Sequence, residues 1–404
     1  MWEKNININE VKEIRVKNTV FFGVGAIEKI NDIAKELKSK NIDKVIVVSG
    51  KNAYKITGAW DHVEKALNEN QIGFVNFDKV SPNPTTHQVD EATQSAKEFG
   101  AKAVIAIGGG SPIDTGKSVA ILMEYQDKNA TELYNYEFAP EKAAPIIAIN
   151  LTHGTGSEAN RFAVVTIPEK DFKPAIAYDC IYPMYAIDDP QLTTKLSPSQ
   201  TIFVSIDAVN HVIEAATSKA ASPFSITLAK ETIKLVSEYL PKAIANPNNL
   251  EARYFLTYAA LLGGVCFDNG LLHYTHALEH PLSAVKHDLS HGLGLAMILP
   301  AVVDCIYKEK CEILAEILSP VIPELKGTPE EGSYCAKQLE KWLVEVGITS
   351  KLKNEGFSEA DIPKLTELAF NTPSLGLLLS MAPNEATKEN VEKIYKSSLD
   401  FYKG

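Results

Sequence analysis

Nine histidines occur in the chain, and five of them, His273, His276, His280, His287 and His291, fall in the stretch LLHYTHALEHPLSAVKHDLSHG from Leu271 to Gly292. Apolar core packing has no use for such crowding, and imidazole is the commonest side-chain ligand of metal ions. His276 and His280 stand four apart, so a helix puts them on one face. Pro281 follows directly and disfavours helical dihedrals in His280, which predicts a bend there. His291 precedes Gly292 and the apolar run LGLAMILPAVV, which predicts a buried helix that begins at that histidine. Upstream, SIDAVNHVIEAA places Asp207 and His211 four apart on another helical stretch. One carboxylate and three imidazoles, from Asp207, His211, His276 and His291, suit a divalent first-row ion that keeps open positions for a substrate oxygen.

A second chemical stretch runs from Gly108 to Lys117, GGGSPIDTGK, between a buried strand and a helix. Ser111 is predicted to cap that helix, with Pro112 at its first position and Asp114 closing a capping box. Gly109 and Gly110 allow close approach of a ligand, and free amides at a helix start suit a pyrophosphate. The segment Phe22-Gly23-Val24-Gly25 fails the GxGxxG pattern because position 28 is Glu, so it reads as a turn before a helix from Ala26 to Leu37. Thr152-His153-Gly154-Thr155-Gly156-Ser157-Glu158 follows a strand and lies where open parallel sheets bind ligands.

The elements that must position these groups change character along the chain. From Val16 to about Pro190, the β-branched runs KVIVVS (44–49), IGFVNF (72–77), AVIAIG (103–108) and PIIAIN (145–150) alternate with amphipathic segments. That alternation predicts an α/β unit with a parallel sheet flanked by helices. From about Ser197 the strand signal vanishes and helical periods dominate, with breaks expected at Pro223, Pro241, Pro247, Pro281 and Pro300. Turn residues cluster in IDDPQLTTKLSPSQ, and Ser197-Pro198 should open a helix. The expected division is a dinucleotide-binding α/β domain over 1–195 and an all-helical metal and substrate domain over 196–404.

Composition excludes several classes of partner. A net charge of −11, a pI near 5.4 and no long Lys/Arg run leave no electrostatic footprint for nucleic acid. The N-terminus MWEKNININEVKEIRVKN has no apolar signal region, and no window approaches about eighteen continuous apolar residues, so a cytoplasmic protein without a membrane partner is expected. Cys180, Cys266, Cys305, Cys311 and Cys335 are scattered without a CxxC pair and read as reduced, mostly buried thiols.

DAVNH, HALEHPL and HGLGLAMILP resemble the two metal-binding segments of the iron-containing (group III) alcohol dehydrogenase family, and Gly108–Lys117 matches its GGGSxxDxxK cofactor loop. The resemblance covers nearly the whole chain and implies the dehydroquinate synthase-like architecture of that family. It implies Asp207, His211, His276 and His291 as iron ligands, and His280, from the HxxxH element, as a group near substrate and nicotinamide that relays a proton. The spacing from His276 to His291 is one residue longer than is usual, and His273 and His287 are additional. His287 therefore stands as an alternative fourth ligand, although His291 keeps the family's following glycine. Cofactor contacts implied are Gly109, Gly110, Ser111 and Asp114, with Thr152 and Thr155 from a segment similar to TTxGTGSE, in which Leu151 and His153 depart from the commoner residues. Asn83 is implied near the adenosine ribose and Lys173 near the nicotinamide ribose, while Phe162, Cys266 and Phe267 resemble positions near the substrate.

Cofactor choice turns on the end of the strand VIVVS, where a carboxylate would bond the adenosine ribose 2′-hydroxyl and repel a 2′-phosphate. The chain reads Ser49-Gly50-Lys51, and the family's NAD-preferring members commonly carry Asp where Gly50 stands. NADP(H) is therefore expected, with NAD(H) possible. The expected enzyme passes hydride between nicotinamide and a small aliphatic alcohol or aldehyde, with Fe²⁺, or Zn²⁺ in its place, as Lewis acid. A homodimer or larger homo-oligomer is the family's expectation. A glycerol-type polyol dehydrogenase and a dehydroquinate synthase-like lyase are the alternatives: HALEHPL speaks against the first, and the lack of an evident cationic pocket against the second.

Overall fold

Alternation along the central strands dictates how the sheet is buried. In β2 (Lys44–Gly50), Val45 and Val47 join one apolar cluster with Ile105 and Ile107 of β4 (Ala103–Gly108) and Ile147 and Ile149 of β5 (Ile146–Asn150). Ile46, Val48 and Val104 join another on the opposite face. Strands buried on both faces need helices on both, which is the setting of a parallel sheet. The computed structural model describes Trp2, Glu10 and residues 12–402, and it contains that sheet. Its six parallel strands run in the order β1-β8-β5-β4-β2-β3, with β1 (Thr19–Phe22), β3 (Gly73–Val80) and β8 (Tyr185–Asp188) completing it. β6 (Phe162–Val164) and β7 (Ala175–Ala177) form a separate antiparallel pair.

Helices α1 (Lys29–Ser39) and α3 (Ala59–Glu69) cover one face, with the short α2 (Ala53–Ile56) following β2. The other face is covered by α4 (Thr86–Phe99), α5 (Gly110–Glu124) and α6 (Ala130–Tyr134). The helix expected from Ala26 begins instead with a 3-10 turn, Ala26–Glu28, before α1. From β2 the chain steps outward to β3, and from β4 it steps the opposite way to β5. The carboxyl ends of β2 and β4 thus flank the switch-point crevice where open α/β sheets bind their ligands.

Past Asp188 no further strand occurs among the described residues. The chain continues as α7 (Pro198–Thr217), α8 (Pro223–Ala245), α9 (Leu250–Gly270), α10 (Tyr274–Val285), α11 (His291–Leu318), α12 (Gly332–Glu345), α13 (Ile362–Asn371), α14 (Leu375–Ser380) and α15 (Lys388–Ser397). Ser197 caps α7 as its sequence predicts, its Oγ accepting from Gln200 N at 3.2 Å with Pro198 at the first helical position. Two of the expected proline breaks occur, with Pro223 opening α8 and Pro247 in the α8–α9 link. Pro241, Pro281 and Pro300 instead lie inside α8, α10 and α11. The bend expected at His280 therefore does not end the helix; Pro281 and Pro300 are buried, and packing of the surrounding turns overrides their cost. α11 is long and apolar enough to cross a membrane by composition, but every residue from Gly292 to Val303 is buried in the helical core.

Candidate active site

Three helices bring one carboxylate and three imidazoles together: side-chain atoms of Asp207, His276 and His291 lie within 4.8 Å of one another, and His211 joins them beside Asp207. Asp207 and His211 lie one turn apart on α7, His276 is in the first turn of α10, and His291 is the first residue of α11. Asp207 Oδ1 is 3.6 Å from His211 Nε2, 3.7 Å from His276 Nε2 and 3.9 Å from His291 Nε2. Close helix packing makes this possible, since a Cβ on Gly292 would sit 2.1 Å from the carbonyl oxygen of Phe203 on α7.

Two buried carboxylates aim the imidazoles. Glu214 accepts from His276 Nδ1, and Glu279 accepts from His291 Nδ1. Each Nε2 is therefore aimed at Asp207, whose Oδ1, like His276 Nε2, is buried without a hydrogen-bond partner. With Nδ1–H committed to a carboxylate, each Nε2 is placed to serve a small divalent ion beside Asp207 Oδ1, and His276, which the carboxylates hold protonated at pH 7 without one, would release its Nε2 proton on binding it. Glu214 also accepts the backbone N–H groups of His273 at 3.0 Å and Thr275 at 2.7 Å, which satisfies the start of α10. Burial raises the Glu214 carboxyl, but His276 outweighs it and holds the group down at about 2. Burial likewise lowers His276, yet Glu214 and Asp207 carry it up to about 9. Asp207, which burial would raise, is held at about 2 by the surrounding histidines. His211 lies between Phe267 and His276, with ring centroids 4.5 and 4.6 Å away, and burial takes it down to about 4.

His280 donates Nδ1–H to the Lys173 carbonyl at 2.8 Å, which leaves the Nε2 lone pair free on a ring that lines the cleft. Burial, then the Lys173 charge, hold it well below the ordinary histidine range, so it is neutral at pH 7. Lys173 Nζ donates to Asn83 Oδ1 at 2.9 Å and Ser283 Oγ at 2.7 Å, and lies 3.5 Å from Glu279 Oε2. Asn83 Nδ2 in turn donates to the carbonyls of His287 and Leu289 at 3.0 and 3.1 Å. Asn83 and Lys173 therefore stand side by side in the cleft, so the two ribose contacts expected of them fall at one place.

The metal cluster and the glycine loop open onto one cleft of about 1060 Å³, which also holds Gly50, Asn83, Gly109, Gly110, Ser111, Asp114, Thr152, Thr155 and Lys173. A Cβ on Gly109 would come within 2.7 Å of Thr152 Cγ2, and one on Gly110 within 2.6 Å of Thr155 Cγ2, so only glycine lets the two threonines close over the start of α5. The predicted cap is corrected here: α5 starts at Gly110 behind an N-cap at Gly109, and Ser111 is its second residue. Asp114 closes no capping box. Its carboxylate accepts from Ser157 Oγ at 2.6 Å and Val164 N at 2.9 Å, because bracing the loop after β5 satisfies a buried carboxylate better than a helix amide would. Lys117, fully buried and pushed down to about 8 by burial, donates to the carbonyls of Ser157, Asn160 and Phe162. The helix-start amides stay free of side-chain caps.

Phe162 and Phe267 stand 5.3 Å apart, with Phe267 stacked on His211, and Val164, Leu272 and Leu378 line the same cleft. Cys266 faces away, its Sγ bonded to Ser225 O in the helical core, so its expected place beside the substrate is corrected. His287 is exposed and outside the cluster, which leaves His291 in the fourth position. His273 is a helix-start residue whose Nε2 meets Thr217 Oγ1 at 2.9 Å. Sequence reasoning missed Glu214 and Glu279, although Asp207, His211 and Glu214 share one helix face at intervals of four and three. It also missed a partner for His153, which is buried and bonded to Arg253 of α9.

A parallel sheet with a glycine-opened helix, and an Asp/His cluster across the same cleft, define an oxidoreductase that pairs a nicotinamide with a metal. Residues 17–190 match the family model for iron-containing alcohol dehydrogenase, and residues 201–399 match that for the C-terminal part of the Fe-containing alcohol dehydrogenase family. The chain is 61% identical over 398 residues to the long-chain primary alcohol dehydrogenase AdhA of Thermoanaerobacter ethanolicus, covering 98% of this chain and 100% of the relative. It is 31% identical to the NAD-dependent methanol dehydrogenase of Bacillus methanolicus over 93% of this chain and 97% of that one. The crystal structure of NADH-dependent butanol dehydrogenase A from Thermotoga maritima superposes with a TM-score of 0.87 at 27% identity, over 97% of this chain and 99% of that one. The chain belongs to the iron-containing alcohol dehydrogenase family. It is an alcohol dehydrogenase working with a metal ion and a nicotinamide cofactor, and neither a polyol dehydrogenase nor a lyase is favoured.

Proposed function

We propose that Asp207, His211, His276 and His291 hold the metal, Fe²⁺ with Zn²⁺ as the competitor, and that the enzyme interconverts a primary aliphatic alcohol and its aldehyde with NADP(H) preferred. The observation that carries this reading is the unpartnered Asp207 Oδ1 ringed by three imidazole Nε2 atoms. When bound, the ion supplies Lewis acidity to the substrate oxygen. Phe162, Val164, Phe267, Leu272 and Leu378 shield the alkyl portion and exclude water. His280 takes the hydroxyl proton on Nε2 in the oxidation direction, its ring fixed by the bond from Nδ1 to the Lys173 carbonyl. Gly109, Gly110 and Ser111 present backbone to the pyrophosphate, with Thr152, Thr155 and Asp114 beside it, and Lys173 and Asn83 make the ribose contacts.

Support for NADP(H) is the absence of a carboxylate at Gly50, with Lys51 and Asn52 at the same end of the cleft. Asp78 is also there, but its Oδ2 accepts from Tyr54 at 3.3 Å. The division into domains over 1–195 and 196–404 follows the change from mixed to purely helical elements. Five free cysteines agree with a reducing cytoplasm. An exposed apolar border beside the edge strand β1, Val24 and Tyr258, agrees with a homodimer or larger homo-oligomer. The deciding experiment follows NADPH and NADH oxidation with butanal by protein loaded with Fe²⁺ without oxygen, beside a chelated control and His280→Ala. Activity is expected to need the metal and favour NADPH, and His280→Ala should lose turnover by about 10²-fold or more while keeping its metal. Activity that survives complete removal of the metal would sink the central assignment.

A further inference from the structure

His153 lies in the middle of the threonine loop yet is fully buried and does not line the cleft. Its Nε2 is 3.0 Å from Arg253 Nη1, and its Nδ1 is 3.3 Å from Ser205 Oγ. Arg253 is fully buried too, and no carboxylate pairs with it among the described residues. Its acceptors are Pro247 O at 3.0 Å, Thr201 Oγ1 at 2.9 Å and His153, while Nη2 has no partner. A guanidinium donates only, so His153 must accept on Nε2 and carry its proton on Nδ1, toward Ser205. The ring is fixed in both tautomer and direction.

The neighbours of His153 are fastened to the same helices. A Cβ on Gly154 would be 2.7 Å from Val204 Cβ on α7, and one on Gly156 would be 2.4 Å from Gly264 Cα on α9. The loop thus rests on α7 and α9 at His153, Gly154 and Gly156, and Thr152 and Thr155, each adjacent to one of them, close over Gly109 and Gly110. We infer that His153, through its hydrogen bond from Arg253, is a positioning residue that sets nucleotide affinity by holding Thr152 and Thr155 against the start of α5. The inference rests on the reading of this loop as a cofactor contact.

The test compares His153→Leu, which removes the acceptor at similar size, with His153→Gln, whose Oε1 can stand near Nε2. Affinity for NADPH is read by fluorescence titration, with metal content and melting temperature measured on the same samples. His153→Leu is expected to weaken nucleotide binding by about tenfold, the loss of one hydrogen bond to a charged group, and His153→Gln to restore it to within about threefold. Metal content should stay constant in both. Thr201→Val removes another acceptor of Arg253 away from the loop and should leave nucleotide affinity within about twofold. If His153→Leu does not fold, His153→Asn serves, because its oxygen reaches toward Ser205 and not Arg253. Unchanged affinity in the folded variant overturns the positioning role, as does an equal loss in Thr201→Val. Wild-type protein that binds no nucleotide overturns the cofactor reading and this inference with it.

Discussion

Glu214 serves two structures with one carboxylate: it orients His276 and it satisfies the first amides of α10. Glu214→Gln keeps an oxygen for the amides but weakens the bond to His276 Nδ1. We expect metal affinity to fall about 10–100-fold in competition with a chelator, with little change in helix content. Retained affinity would show that α10 alone aims the histidine. Gly50 is the opposite case, a residue whose missing side chain matters. Its φ is not left-handed, and a Cβ there would meet only Val80 O, at 3.4 Å, so aspartate fits. Gly50→Asp should shift the ratio of kcat/KM for NADH over NADPH upward by about tenfold or more, since a carboxylate would oppose the 2′-phosphate. An unmoved ratio would place the choice elsewhere, with Asp78 the next residue to change. These residues differ in how readable they are. Asp207, His211 and His276 are legible because four-residue spacing and crowding betray them. Arg253 is not, because it lies 100 residues from His153 and nothing local marks the pair.

Elements were legible where their burial is uniform. The runs behind β2, β4 and β5 are continuous apolar stretches and read as strands at once. β1 and β8 are four residues each, and β8 is defined by its place between β1 and β5 more than by its own composition. Pro281 and Pro300 misled for the same reason, because tertiary packing outweighs a local preference inside a buried helix. The α7–α11 crossing is the joint on which the metal cluster depends. Gly292→Ala would force Phe203 and α11 apart, at a cost of about 1–3 kcal/mol in denaturant unfolding, and would displace His291. We expect the variant to lose metal more readily than stability alone explains. A folded variant with wild-type metal content would mean that the crossing is softer than its contacts suggest.

At the scale of the molecule, buried histidines set the response to acid. Burial holds His153 down at about 3 and His273 at about 4, both neutral in the folded protein. The unfolded chain protonates such groups near pH 6.5, so their stability is present above that pH and lost as pH falls below it. Each should cost about 2 kcal/mol by pH 5. Glu214 and Asp207, held at about 2, keep their contribution until pH drops below the ordinary carboxylate range, so they do not mask this window. His276, carried up to about 9, has the opposite sign and loses its contribution only as pH rises above 6.5. Glu158, raised to about 7 by burial, opposes the histidines over the same range, because a carboxyl with a raised pKa gains stability as pH falls. Relative to wild type, His153→Gln should therefore lose less melting temperature between pH 7 and pH 5, and an identical slope would show that His153 makes no contribution. The halves of the chain also divide the labour, since every proposed metal ligand follows Pro198 and every proposed nucleotide contact precedes Pro190. Yet Lys173 bonds Ser283, and Asn83 holds the carbonyls of His287 and Leu289. Chimeras that trade one half between relatives would inherit cofactor choice and metal chemistry as separate traits only if these few stitches travel with them, which makes the seam, more than either half, the unit on which compatibility is decided.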